Sequence, residues 1–268
     1  MRWIRSLVRN NPAEETPEPV RPEIFSDDCF LVSYPKSGNT WMRFLLANLL
    51  KTDNQDAPEI DFHSAVDYVP EYEVHTQALD TAPRPRMLKS HAPFDPSFPK
   101  VAYLVRDPRD VYVSYFHYMR KRLPQGTSFG GFLRLADLHP CHWHEHVAGW
   151  IDQPNVQLIR YEDMLADTHA QLRKLIEFWG VRTFTDQQID RAVEASSFDR
   201  MKALEKQNGR PFKSEAHQQR STTFMRKGQS GDWVNYFDQA DLAYLADRCG
   251  ELMRRLGYHE RDTLALAG

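Results

Sequence analysis

The chain has 268 residues, 41% of them hydrophobic and 26% charged, with a formal net charge of −3. That length carries one sizeable core and suits a single α/β domain, and the charge balance excludes the global basicity of a nucleic-acid-binding protein. Three widely spaced cysteines, Cys29, Cys141 and Cys249, fit a reducing compartment rather than a disulfide framework, and no stretch is long and apolar enough to span a bilayer.

The start, from Met1 to Arg9, is basic and mildly amphipathic without the apolar core of a signal peptide. Residues 1–23 read as a flexible lead-in, rich in Pro and Glu from Asn11 to Pro22, and residues 24–268 as one domain. Phe30 to Ser33 predicts a short buried strand. The tight loop Tyr34-Pro35-Lys36-Ser37-Gly38-Asn39-Thr40-Trp41 follows, and then a helix from Arg43 to Lys51. Thr52 to Pro85 is polar, with several prolines and acids, and reads as an irregular surface excursion.

Arg86 to Lys89 predicts a strand that stops at Ser90-His91, and Val101 to Val105 a buried parallel strand. A helix opens at Pro108, with proline in its favoured first turn, and runs to about Arg122. Val156 to Tyr161 predicts a further strand. Helical patterns then cover Thr168 to Trp179, Asp186 to Ala195 and Ser197 to Lys206. Gln207 to Gly231 is long, basic and irregular, as lids and binding loops are, and a last helix runs from about Gln239 to Leu256. Strands alternating with helices indicate a central parallel β-sheet flanked by α-helices. Ligands of such sheets sit beyond the carboxyl ends of the strands, where the Tyr34–Trp41 loop, Ser90-His91 and Arg106 all fall.

A tight loop between strand and helix aims backbone amides and a helix N-terminus at one anion. The usual phosphate loop ends Gly-Lys-Ser/Thr; here the tripeptide is Gly38-Asn39-Thr40, and the loop's cation is Lys36, three residues earlier. Arg106 at a strand end and Ser114 two turns into the next helix are both able to reach one phosphate. Lys89-Ser90-His91 brings an ammonium and an imidazole to a neighbouring strand end. Arg226-Lys227-Gly228 and Gly231-Asp232-Trp233 form a basic, glycine-bearing segment suited to a second anionic group. His139, Cys141, His142, His144 and His146 invite a metal reading, with His142 and His146 on one helix face. A third ligand in closed geometry is missing, so these residues are expected to line a pocket or a solvated face. Tyr112, Tyr115, Phe116 and Tyr118 are expected to pack a helix, with Tyr115 or Phe116 bordering an acceptor.

In order and spacing, over about residues 28 to 257, these motifs resemble those of the cytosolic-type sulfotransferases. That family moves a sulfuryl group from 3′-phosphoadenosine 5′-phosphosulfate (PAPS) to an acceptor. The resemblance implies a single-domain P-loop-like fold and assigns Lys36, Ser37, Gly38, Asn39 and Thr40 to the 5′-phosphosulfate of the donor. It gives Arg106, Ser114, Arg226, Lys227 and Gly228 to the 3′-phosphate. Trp41, Tyr161 and Phe198 look like its adenine contacts, with Ser197 near a phosphate or the base. Lys89 and His91 match its active-site lysine and catalytic histidine. The implied chemistry has Lys36 neutralising the bridging oxygen of the leaving group, His91 taking the acceptor's proton and Lys89 stabilising sulfuryl oxygens, with no obligatory metal.

The expected partner is a small-molecule, carbohydrate or lipid acceptor bearing a hydroxyl or amine, not nucleic acid, and the expected compartment is the cytoplasm. After Trp233 the chain reads Val234-Asn235-Tyr236-Phe237-Asp238, without the Lys-Thr-Val-Glu-type dimer pattern, which leaves the oligomeric state open. Two alternatives stand beside this reading: a P-loop kinase, opposed by Asn39 in the lysine position, and an inactive module that binds the bisphosphate product, PAP.

Overall fold

The computed structural model describes residues 22–51, 58–135, 138–211 and 223–258. Among them lie four strands, β1 (Cys29–Ser33), β2 (Met87–Ser90), β3 (Lys100–Val105) and β4 (Val156–Arg160). All pair in parallel, in the order β2-β1-β3-β4, with Leu31 opposite both Lys89 and Ala102. The helices are α1 (Asn39–Lys51), α2 (Ala65–Tyr68), α3 (Thr76–Thr81), α4 (Pro108–Met119), α5 (Phe129–Leu133) and α6 (Trp143–Trp150). They continue with α7 (Tyr161–Ala166), α8 (Thr168–Trp179), α9 (Asp186–Ala195), α10 (Phe198–Asn208) and α11 (Gln239–Arg255).

The two-residue period of a strand sends alternate side chains to opposite faces. Phe30, Val32, Leu88, Val101, Tyr103 and Val105 pack on one side against Val111, Trp143, Val147, Trp150 and Leu245. Cys29, Leu31, Met87, Ala102, Leu104 and Ile159 pack on the other against Met42, Leu45 and Leu46 of α1 and Leu172, Leu175 and Trp179 of α8. Burial on both faces is why these strands read as unbroken apolar runs. All three cysteines are free thiols. No helix of the described residues is long and apolar enough to cross a membrane.

α8 and α9 span the residues the sequence predicts because both carry their own end signals. Asp167 accepts from the Ala170 amide at 2.9 Å, Gly180 closes α8 with φ 61°, and Thr185 and Gln188 form a capping box before α9. α1 starts four residues earlier than the predicted Arg43. Asn39 lies in its first turn, with Nδ2 turned inward to Ser33 Oγ at 3.0 Å and the Leu31 carbonyl at 3.4 Å, so polar residues occupy a turn that apolar periodicity does not reveal. Tyr161 opens α7 rather than ending β4, and α4 stops at Met119.

The excursion is a correction. Its first residues, 52–57, lie outside the described residues, but the rest is not a surface loop. Ile60, Phe62, Val69, Tyr72 and Leu79 are buried. The Tyr72 amide donates to the Lys89 carbonyl at 2.9 Å and the Lys89 amide to the Pro70 carbonyl at 2.8 Å, so this segment covers the open edge of β2. Tyr72 sets its ring edge-on to Phe30 and Phe98 at 5.5 and 5.7 Å. The apolar residues are spaced to fit tertiary neighbours, not a helix or strand, and so leave no periodic signal. Tyr72→Ala is expected to cost about 3–5 kcal/mol in urea unfolding; a loss below about 1 kcal/mol would return the segment to the periphery.

Candidate active site

The Tyr34–Trp41 loop leaves β1 at the carboxyl edge of the sheet. Lys36 has φ 71°, in the left-handed region that a side chain rarely occupies, and such strain gathers at functional sites. Gly38 has φ 99°, and a Cβ there would fall 2.6 Å from the Tyr161 ring; only glycine lets that ring lie against the backbone. Trp41 meets the same ring edge-on at 5.8 Å, and the Arg106 guanidinium sits 4.3 Å from its centroid. Arg106 donates to the Lys36 carbonyl at 3.3 Å and the Gln229 carbonyl at 2.9 Å. Its Nε and the buried Ser37 Oγ have no hydrogen-bond partner among the described residues. Thr40 is half-buried in the first turn of α1.

The Lys36 ammonium lies over the Phe224 ring at 3.7 Å and near that of Tyr118 at 4.8 Å. Burial, with the Arg210 and Arg106 charges close by, lowers its pKa to about 7. Glu205 of α10 fixes Phe224 in place, accepting from the amides of Phe224 and Met225 at 2.7 and 2.8 Å.

His91 follows β2, the neighbour of β1, and its Nδ1 lies 2.7 Å from the Ser33 carbonyl. A carbonyl only accepts, so Nδ1 carries the hydrogen and Nε2 keeps its lone pair. Burial, then the adjacent Lys89 charge, lowers the imidazole to about 3, so it stays neutral. Lys89 is buried and pairs with Glu71 at 2.5 Å. Against burial, which raises it, the Lys89 and His91 side chains hold the Glu71 carboxyl down to about 2. Ser90 Oγ donates to Glu73.

The late basic segment approaches from the other side. Arg226 and Lys227 both pair with Asp232, at 2.7 and 2.5 Å. Against burial, these partners pull the Asp232 carboxyl down to about 2. Asp110 of α4 receives the Gly231 amide at 2.7 Å, the Ser230 hydroxyl at 2.9 Å and the Trp233 amide at 3.2 Å, which ties the segment to the helix that follows Arg106. Gly228, at φ 63°, lies so close to the Phe198 ring that a Cβ would sit 2.2 Å from it. Trp41 and Phe198 pack on one apolar cluster with Phe44 and Met201. Ser114 is half-buried two turns into α4, and Ser197 stands exposed at the N-cap of α10.

The histidine cluster is a second correction. No group of three or more His, Cys, Asp or Glu among the described residues is placed to hold a metal ion. His142 caps α6 and stacks on His144. His146 lines neither a pocket nor a solvated face: it is 0% exposed, between the Tyr103 hydroxyl at 2.7 Å and the His91 carbonyl at 3.2 Å. Tyr112 and Tyr115 are core, as expected, whereas Tyr118 turns to Lys36. Glu71, Glu73, Tyr103 and Glu205 escaped the sequence reading because acids and a strand tyrosine acquire these contacts only through folding.

A parallel sheet with an anion-cradling loop after its first strand, flanked by basic side chains at the next strand ends, defines a P-loop-like α/β protein. Within that class the chain belongs to a specific family: residues 26–257 match the Sulfotransferase domain model. It is similar to cattle (Bos taurus) sulfotransferase 1E1, at 31% identity over 80% of this chain and 79% of that one. It is also similar to rabbit (Oryctolagus cuniculus) amine sulfotransferase, at 27% identity over 80% and 76%. The crystal structure of mouse sulfotransferase SULT7A1 complexed with PAP superposes with a TM-score of 0.62 at 26% identity, covering 87% of this chain and 86% of that one. The family uses PAPS as its sulfuryl donor.

Asp110→Ala removes the acceptor of three donors in the late segment. Hydrogen exchange at the Gly231 and Trp233 amides is expected to quicken at least about tenfold, with the β3 amides unchanged; equal exchange in both proteins would show that the segment is held elsewhere.

Proposed function

We propose that this chain transfers a sulfuryl group from PAPS to a hydroxyl or amine on a small-molecule, carbohydrate or lipid acceptor, with His91 as general base. The observation that carries the reading is the His91 tautomer: the bond from Nδ1 to Ser33 leaves Nε2 neutral and proton-accepting, one strand from the anion loop and beside the Lys89 charge. The catalytic domain is taken as residues 24–268 after a lead-in of 1–23, and the compartment as the cytoplasm, in keeping with three free thiols.

The residues present fit the donor. Ser37 Oγ and Arg106 Nε are buried donors lacking a partner among the described residues, Gly38 opens a cradle that a Cβ would close, and α1 points its N-terminus at the same place. Lys36, Ser37, Gly38, Asn39 and Thr40 would hold the phosphosulfate, Asn39 through its amide because its side-chain nitrogen is engaged inside. Trp41, Tyr161 and Phe198 would enclose the adenine, with Ser197 at its edge. Arg106, Ser114, Arg226, Lys227 and Gly228 would take the 3′-phosphate, which would draw Arg226 and Lys227 from Asp232. Bound there, the donor supplies a sulfate–phosphate anhydride whose phosphate side gains charge as the bond breaks.

Lys36 meets that charge in a low-dielectric site, where preorganised charge counts most. An amine at about pKa 7 gains its proton as the anion approaches. His91 Nε2 takes the acceptor's proton, and Lys89, braced by Glu71, stabilises the equatorial sulfuryl oxygens.

His91→Ala is expected to lower kcat by about 100-fold or more while PAP affinity, measured by calorimetry, is retained; a variant keeping most of its turnover would remove His91 from the base role. In the wild type the imidazole remains neutral above about pH 3. The kcat/KM profile should therefore show no protonation loss between about pH 7 and 5, whereas an acid limb near the reference value of about 6.5 would contradict the buried, neutral base.

A further inference from the structure

The edge strand β2 ends at Ser90, so the carbonyls of His91 and Ala92 lie beyond the sheet ladder. Helix α6 meets both. His146 Nε2 lies 3.2 Å from the His91 carbonyl and Trp150 Nε1 donates to the Ala92 carbonyl at 3.1 Å, two donors one helical turn apart on a single buried face. Since the His91 carbonyl only accepts, Nε2 of His146 bears the hydrogen. Nδ1 therefore accepts from the Tyr103 hydroxyl at 2.7 Å. The buried path runs from Tyr103 of β3 through His146 of α6 to the main chain of His91.

We infer that His146 is the positioning residue of the catalytic base, an assignment that rests on the sulfotransferase reading above. His91 is held at two points: its ring by Ser33, its backbone by His146. With the ring bond alone the strand exit pivots and the Nδ1–Ser33 bond is made only part of the time; with both points the tautomer and the position of Nε2 are fixed together. A misplacement of about 1 Å at a reacting group costs on the order of 100-fold in rate, so this second anchor acts on turnover. It touches none of the residues assigned to the donor, so donor affinity is independent of it. Tyr103 sets the orientation of His146 in the way outer hydrogen bonds set a metal-bound histidine.

The test compares purified full-length wild type, His146→Leu, His146→Gln and Tyr103→Phe. Three quantities are read: transfer of sulfur-35 from PAPS to 2-naphthol, n-butanol and tyramine, PAP affinity by calorimetry, and the His91 ring nitrogen shifts by NMR. His146→Leu is expected to lower kcat at least about tenfold, to leave PAP affinity within about twofold, and to move His91 from a single Nδ1–H tautomer to a mixture. His146→Gln, which keeps a donor where Nε2 stood, should recover kcat to within about threefold of wild type. An unchanged kcat in His146→Leu, or a failure of Gln to rescue, overturns the proposal. If His146→Leu does not fold, Tyr103→Phe decides by the same tautomer shift, and its absence overturns the proposal. If wild type labels none of the acceptors and does not bind PAP, the functional reading fails by itself, and the His91 tautomer in His146→Leu still decides the positioning role: a mixture upholds it and a single form refutes it.

Discussion

The hydrogen bond from His91 Nδ1 to the Ser33 carbonyl, at 2.7 Å, is the constraint on which the rest of this site depends. It joins the exit of the edge strand to the residue just before the anion loop. Parallel pairing of β1 and β2 makes this possible, because Val32 stands opposite Ser90 and the two chains leave the sheet side by side. Ser33 also receives Asn39 Nδ2 on its hydroxyl at 3.0 Å. One residue at the end of β1 thus orients the imidazole through its carbonyl and the first turn of α1 through its side chain. The proposed base and the loop after β1 share a single mechanical reference.

Around that reference the charges are arranged in pairs. A chain of net charge −3 has no general attraction for a polyanion, so the cations are local and four of them have a nearby counter-carboxylate. Glu71 holds Lys89, Asp232 holds Arg226 and Lys227, and Asp110 lies 3.9 Å from Arg106. A buried ammonium or guanidinium left alone is costly, and these acids offset the cost before any ligand arrives. Lys36 differs: its amine lies against aromatic rings, it makes no ion pair among the described residues, and its pKa is drawn down to about 7. An amine at that pKa gains its proton as a negative charge approaches.

The sheet, the loop and the basic strand ends were legible in the sequence because each follows a local rule: apolar runs for buried strands, a tight loop between strand and helix, helical periodicity for α8 and α9. His91 and Lys89 were legible because they end a strand next to the loop. What supports them was not. Glu71 comes from a segment with no periodicity, and its meeting with Lys89 exists only once residues 70–72 pair with β2. His146 was visible as one of several histidines, yet its buried partner is Tyr103, three elements earlier in the chain. The chain's one-dimensional pattern records which face of a helix is apolar, not which buried polar atom will find a partner there.

The most direct measurement is a double-label incubation of the full chain with fractionated metabolites, offering PAPS labelled with sulfur-35 and ATP labelled in its terminal phosphate. Lys36 in place of the usual loop lysine, with Arg106, Arg226 and Lys227 proposed to take a 3′-phosphate, predicts that sulfur label alone passes to an acceptor. Transfer of phosphate label with no sulfated product would contradict the account and make the loop that of a kinase.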